Sequence, residues 1–288
     1  MSTSTIIFNK NNLIANGFNN QLRFNFTGNS VNFKNKELAI SSIQLYNSQF
    51  NINNSVYNNN TFTIQIPAAA SYTDINISLP NGYYEYSDIS NYITQQLINA
   101  GAYLIDGSGN NVVYIKVSAN QTYYACQIDL LATPTSLPVG YTRPGTGLYS
   151  ALGTGLPSST NTPKIVISGN FATVIGFATG TYPSSTQTTN QSFTSNLTPQ
   201  INPVSSYLIR CNVINNSVSQ PPDILTGFST QGTKIGQLIS VSPPEYQWVS
   251  VADGAYNNIT LTITDQDFNY IKFQDPSILI TVLVRSRK

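Results

Sequence analysis

The sequence predicts an all-β sandwich with one or two short helices and long loops. Three observations lead there. Apolar residues alternate with polar ones at period two in run after run. Asp-Gly, Gly and Pro turn signals separate those runs. Only one long stretch carries a helical period instead. A strand with one apolar face must bury it, so two sheets packing face to face are required.

The strands follow in chain order. LAISSIQLYNS begins at Leu38. Phe62, Ile64 and Ile66 alternate in TFTIQI, and Ile75, Ile77 and Leu79 in DINISL. Further runs are VVYIKV from Val112, YYACQIDLL from Tyr123, KIVIS from Lys164, SYLIRCNVI from Ser206 and KIGQLISV from Lys234. Ile259, Leu261 and Ile263 alternate next, and Ile278, Ile280 and Val282 near the end. These make about ten strands. Asp106-Gly107 and Asp253-Gly254 read as hairpin turns, because Asp-Gly accepts positive φ. Asp265 to Asn269 makes a longer turn before Tyr270–Phe273.

The helix lies after Tyr86. Ser87 serves as N-cap and Asp88 places negative charge in the first turn. Ile89, Tyr92, Ile93 and Leu97 then share one face, and Gly101 ends it. A shorter helix is expected over Phe171–Ile175, before Gly176. Helices this few decorate a sandwich and do not make an α/β fold.

Two stretches lack periodicity: Thr133 to Pro163 and Ala178 to Pro203, both rich in Pro, Gly, Ser and Thr. Loops of this length are functional or disordered. They are expected at one end of the sandwich, packing on neighbours or decorating the surface. Residues 1–20 read as an extended arm. Arg285-Ser286-Arg287-Lys288 is a small basic tail, read either as a frayed terminus or as a contact with packaged nucleic acid. Residues 1–288 are expected to form one domain. A chain of this size buries roughly 75% of its unfolded surface and needs neither disulfide nor metal to fold.

Composition narrows the function. The chain is 40% hydrophobic but only 9% charged, against about 25% charged in an average domain. Disorder requires low hydrophobicity and high net charge, and neither holds. A formal net charge of +1 creates no field to attract nucleic acid or an anionic membrane. Asn, Ser, Thr, Gln and Tyr must therefore form the polar surface, which suits a protein packed against neighbours. AT-rich codon usage explains the same bias, although Lys is scarce, and both explanations can hold. Cys126 and Cys211 sit in apolar runs as buried thiols or as a disulfide, which spacing alone does not decide. The N-terminus has no basic region followed by an apolar stretch of signal length, and no run reaches the ~18 apolar residues of a membrane helix. The chain is expected to be made in the cytosol or nucleus. Asn-x-Ser/Thr triplets at Asn25, Asn76 and Asn258 are expected by chance in so Asn-rich a chain. The last two fall in predicted strands.

There are 0 histidines. This excludes Ser-His-Asp and Cys-His nucleophile activation and every zinc site that needs His. Two separated cysteines cannot form a Cys₄ site. Gly227 to Lys234 resembles a P-loop only loosely, with Lys and Thr in the wrong order and no strand-turn-helix context. Asp265 and Asp267 are the closest carboxylate pair: a cap for their turn, or a ligand pair for a hard cation. No Lys/Arg stripe is interleaved with aromatics, as nucleic-acid binding would need. Tyr83-Tyr84 and Tyr123-Tyr124 are the densest tyrosines and read as strand and interface packing. The chain is therefore expected to be no enzyme, with no catalytic, cofactor-binding or metal residues and no cofactor.

Three passages carry a resemblance. They are Leu79 to Ile93 (LPNGYYEYSDISNYI), Ile175-Gly-Phe177 through Tyr182 to Ile201–Ser206 and Leu208–Asn212, and Asp253 to Gln266 followed by Ile278–Val284. In this order they resemble the penton, or minor capsid, proteins of virophages, polintons and polinton-like viruses. The Thr133–Pro163 loop has no counterpart and reads as an insertion. The resemblance implies a single jelly roll and a homopentamer closing the fivefold vertex of an icosahedral double-stranded DNA virion, beside trimeric double-jelly-roll major capsid proteins. It implies no catalytic residue and no membrane insertion. A host receptor would be met through the loops, and nucleic acid at most through the Arg285–Lys288 tail. Trp248 and the tyrosine pairs are candidate interface anchors, with core placement equally open for Trp248. The alternative is a trimeric receptor-binding or lectin-like fibre head, with its site in the long loops. A carboxylate-only glycosidase is a third reading, requiring two acids roughly 5–10 Å apart.

The alternation around Leu261 is directly testable. Leu261→Asp buries an unpaired charge and is expected to abolish folding, while Thr262→Asp on the opposite face leaves a folded protein. Circular dichroism and urea titration of the two variants distinguish them; equal damage from both would mean a strand buried on both sides.

Overall fold

The computed structural model describes residues 3–28 and 30–287. The chain opens with β1 (Ser4–Asn9), β2 (Gln21–Asn25), β3 (Val31–Asn32) and β4 (Lys36–Tyr46). Then come α1 (Asn54–Tyr57), β5 (Thr61–Ala68), β6 (Ser71–Ser78), α2 (Tyr86–Asn99), β7 (Leu104–Ile105) and β8 (Asn111–Val112). They are followed by β9 (Ile115–Asn120), β10 (Ala125–Leu130), β11 (Lys164–Ile167), α3 (Phe171–Ile175), β12 (Gly180–Tyr182) and β13 (Gln191–Thr194). The last group is β14 (Tyr207–Cys211), β15 (Ile224–Phe228), β16 (Leu238–Val241), β17 (Val249–Ser250), β18 (Ala255–Tyr256), β19 (Asn258–Asp265) and β20 (Ile278–Ser286).

These elements form two compact units where the sequence predicts a single domain. One combines the chain up to Phe50 with the chain from Val204 onward; the other runs from Asn51 to Pro203. Each has its own apolar core. Hydrophobic periodicity reports which face of a strand is buried, but not which core it joins.

The first unit is a jelly roll. One sheet has the order β1-β20-β4-β16, with β17 also on β4, and the other has the order β15-β14-β19-β2. Every pairing in both sheets is antiparallel. With β1, β2, β4, β14, β15, β16, β19 and β20 lettered B to I along the chain, the sheets read BIDG and CHEF. That is the order of the double-sheet jelly roll. The second unit is inserted between D and E, that is between β4 and β14.

The apolar pattern accounts for the pairing. Ile259, Leu261 and Ile263 of β19 are buried, as the alternation predicts, and Tyr207, Ile209 and Cys211 of β14 join them. In β4 the inward phase changes from Leu38 and Ile40 to Ile43 and Leu45. One extra residue absorbs the change: Val282 faces Ile40 while Thr281 faces Ser42, so Ser41 bulges. A bulge resets which residues point inward.

The N-terminal segment differs from the extended arm predicted over residues 1–20. Ser4–Asn9 pairs along its whole length with β20, burying Ile6 and Phe8; residues 1 and 2 of the predicted arm lie outside the described residues. Asn20 then extends the β2–β19 ladder. Its backbone carbonyl accepts from the Ile263 amide at 2.8 Å and its carboxamide donates to the Ile263 carbonyl at 3.1 Å. Asp253-Gly254 does not close a hairpin. Val249–Ser250 pairs with β4 while Ala255–Tyr256 pairs with β3, so the turn carries the chain between sheets.

The second unit packs the sheet β12-β11-β5-β6 and the sheet β13-β10-β9 with α2. Phe62 stacks on Phe171 at 4.2 Å between ring centroids. Helix α2 starts at Tyr86, ahead of the predicted Ser87 cap, because the Asp88 carboxylate accepts the Glu85 amide at 2.8 Å. Its buried face is Tyr86, Ile89, Ile93 and Leu97. The Asp106 carboxylate accepts from Ser108 and Asn110 in the β7–β8 hairpin, as its sequence predicts. Those hydrogen bonds, that from the Asn110 amide first, lower its pKa.

The two aperiodic stretches are parts of this unit and do not merely decorate it. In Thr133–Pro163, Tyr149 is buried and its hydroxyl donates to the Pro67 carbonyl at 2.9 Å. The Leu148 and Tyr149 amides donate to the Ala100 and Gly101 carbonyls at 2.9 and 2.8 Å. The Ala178–Pro203 stretch supplies β12 and β13. Cys126 and Cys211 are free thiols, one in each core, and burial pushes both up to about 12.

Gly101 and Gly147 are where this loop crosses the end of α2. A Cβ on Gly147 would stand 2.6 Å from both the Ala100 oxygen and the Gly101 Cα, at φ +92°. Gly155, at φ +91°, has nothing within 4 Å. Gly155→Ala is expected to cost about 1 kcal/mol from its left-handed backbone alone. Gly147→Ala adds overpacking and is expected to cost about 2 kcal/mol more. Urea denaturation of the two variants measures the difference.

Candidate functional site

The predicted chemical candidates resolve one by one. Asp265 is a turn cap: its carboxylate accepts from the Asp267 amide at 2.9 Å, the Asn269 amide at 2.8 Å and the Asn269 carboxamide at 3.1 Å. Among the described residues, no group of 3 or more His, Cys, Asp or Glu side chains could hold a metal ion. Gly227 lies inside β15 and the next regular element is the strand β16, so the context of a P-loop is missing. No helix among the described residues is long and apolar enough to cross a membrane.

Trp248 is neither core nor a free anchor. It is half-buried, and the Arg285 guanidinium lies 3.8 Å over its ring. The same guanidinium pairs with the Glu37 carboxylate, and Tyr246 meets Trp248 edge-on at 6.2 Å. The basic tail is therefore not frayed. The Arg287 amide donates to the Asn35 carbonyl at 2.9 Å and its guanidinium reaches the Lys36 and Val251 carbonyls. Lys288 lies outside the described residues. Tyr123 and Tyr124 do not pack in a strand: they form the β9–β10 turn, 73% and 76% exposed, with Tyr124 at φ 48°.

Tyr83 and Tyr84 lead to a cleft in the Asn51–Pro203 unit. It has a volume of about 410 Å³ and is walled by Tyr83–Ser87 with the first turn of α2, by Lys116–Ala119 of β9, and by Ile201-Asn202. Its walls are tied together. Buried Asn51 donates to the Tyr84 carbonyl at 2.7 Å and the Ile201 carbonyl at 2.8 Å, and accepts from the Tyr84 amide at 2.8 Å. The Val117 amide donates to Ser90 Oγ at 3.2 Å, joining β9 to α2. The Tyr83 hydroxyl donates to Asn202 Oδ1 at 2.9 Å. Burial holds the Tyr83, Tyr84 and Tyr86 hydroxyls above their ordinary pKa, so all three are neutral near pH 7. Tyr86 is only 9% exposed, and its buried hydroxyl has no hydrogen-bond partner among the described residues.

A second, larger groove of about 770 Å³ lies on the other side of Lys116 and includes Asp106, Asn110, Asp129 and Ser192. Here both carboxylates already have partners within the fold. Asp106 is taken up by its hairpin, and Asp129 accepts from Gln127 at 2.9 Å and Ser192 at 2.7 Å. Sequence reasoning singled out Tyr83 and Tyr84 but missed Asn51, Lys116 and Asn202. Lys116 and Asn202 come from segments far apart in sequence that only the tertiary fold brings to the cleft, and Asn51 ties its walls.

No family model matches the chain, and no curated protein matches it. Solved structures do. The chain is similar to the mavirus penton protein at 11% identity and a TM-score of 0.44, over 98% of this chain and 96% of that one. It is also similar to a chain in the cryo-EM structure of the Sputnik virophage at 15% identity and a TM-score of 0.36, over 97% of each. The jelly roll stands on the strand order described above.

The Arg285 cluster yields a stability test. Arg285→Ala strips Glu37 of its partner and Trp248 of its cation, and is expected to cost about 1.5–3 kcal/mol in denaturant titration. Arg285→Lys keeps the charge but loses the planar stack, and is expected to recover only part of that.

Proposed function

We propose that this protein is a structural capsid subunit, a penton closing the fivefold vertex of an icosahedral double-stranded DNA virus as a homopentamer. The observation that carries the proposal is the BIDG/CHEF strand order of the first unit. Viral capsid proteins and lectins use this architecture. A fold alone does not decide between them. Supporting the capsid reading are the 9% charge content and the resemblance borne by Leu79–Ile93 and Asp253–Gln266. A ring needs two different faces on each subunit. The BIDG sheet ends in two different edges, β1 with Ile7 exposed and β16 with Leu238 exposed. Unpaired edges with outward apolar residues are prone to association.

The partners in this reading are further copies of the chain and trimers of a double-jelly-roll major capsid protein. The location is the virion vertex, after synthesis and assembly inside the host cell. No enzymatic activity belongs to it. The preformed cleft in the second unit favours one alternative, a trimeric receptor-binding or lectin-like fibre head. Light scattering of the purified chain, with negative-stain images of the same peak, separates the two. The vertex reading predicts a particle of five times the 31.4 kDa subunit mass with fivefold views. A trimer would overturn it in favour of the fibre head.

A further inference from the structure

We propose that the cleft beside the first turn of α2 binds a neutral oligosaccharide. Its volume of about 410 Å³ lies within the roughly 300–1,000 Å³ of small-ligand sites. The Asn51 and Ser90 hydrogen bonds hold its walls in place without a ligand. Such a site is preorganised, so binding loses little to ordering.

The lining chooses the ligand class. Tyr83 and Tyr84 bring aromatic rings, which offer an apolar face for a sugar ring. Asn91 and Asn202 bring carboxamides that both donate and accept, as sugar hydroxyls do. Lys116 is the one cation and Glu85 the one carboxylate of the lining. That balance suits neither a phosphate nor a sialylated or sulfated glycan, which would call for an excess of basic groups.

A peptide strand is disfavoured by the same geometry. β9 is the edge of its sheet, the usual place for strand addition. Here α2 packs against that strand and Ser90 takes the Val117 amide. The saccharide proposal is independent of the vertex reading. Oligomeric mass decides one and glycan binding the other, so each can fail alone.

The test uses the full-length chain on a printed array of neutral oligosaccharides of glucose, galactose, mannose and N-acetylhexosamines, with sialylated and sulfated glycans alongside. Binding confined to neutral glycans is expected. In titrations of the best-bound one, Asn91→Ala and Asn202→Ala are each expected to weaken affinity about tenfold. Asn91 is exposed on α2 and Ala favours helix over Asn, so the melting temperature of Asn91→Ala should equal or exceed the parent's. No retained neutral glycan, a preference for sulfated ones, or parental affinity in both variants would overturn the proposal.

Discussion

The structure depends first on the pairing of β4 with β20. Lys36 faces Ser286 at one end of this ladder and Leu45 faces Ile278 at the other, with the Ser41 bulge between. β1 adds to β20, and β16 and β17 add to β4, so the whole BIDG sheet is built outward from two strands at opposite ends of the sequence. The intervening chain must therefore either pack into the sandwich or fold on a core of its own. The Asn51–Pro203 unit does the latter, around residues such as Ile64, Ile93 and Ile165. A long insertion is entropically tolerable because loop closure grows only with the logarithm of length. Strands joined across that distance still make the topology non-local, and slow to assemble.

The scarcity of charge has a structural use beyond a neutral surface. Buried asparagines take work that ion pairs or extra backbone would otherwise do. Asn51 holds the Tyr84 and Ile201 segments together. The Asn59 carboxamide accepts from the Asn53 amide and donates to the Asn51 carbonyl, and the Asn60 carboxamide donates to the Leu79 carbonyl. A carboxamide can donate and accept at once without the desolvation cost of a charge. Asparagine-rich composition thus fits both a surface that packs against neighbours and loops fastened from within.

Much of the fold was legible in the sequence. Strict alternation located β5, β6, β19 and β20, and the i, i+3, i+4 pattern located α2, because both signals come from one buried face. The Gly after Ile175 marked the end of α3, where Gly176 takes φ +70°. β1 and β2 carried the same signal, in Ile6 and Phe8 and in Leu22 and Phe24, but a polar, Asn-rich setting masked it. The division into two units was not legible, since it depends on which strands share a core. Nor were the roles of Tyr149 or Trp248, which follow from a carbonyl at Pro67 and a guanidinium at Arg285, both distant in sequence. Of the cleft, sequence reasoning reached Tyr83 and Tyr84 but neither the opposite wall nor the Asn51 tie.

The central claim is that the two ends of the chain fold together as one jelly roll, with the Asn51–Pro203 unit inserted in the chain between β4 and β14. Backbone hydrogen exchange of the intact protein, resolved by residue, tests it most directly. Strands of one cooperative unit open together and share a common protection free energy. The amides of β4, β19 and β20 should fall in one slowest-exchanging class despite their separation in sequence. Rapid exchange throughout β20 while β4 stays protected would contradict the account.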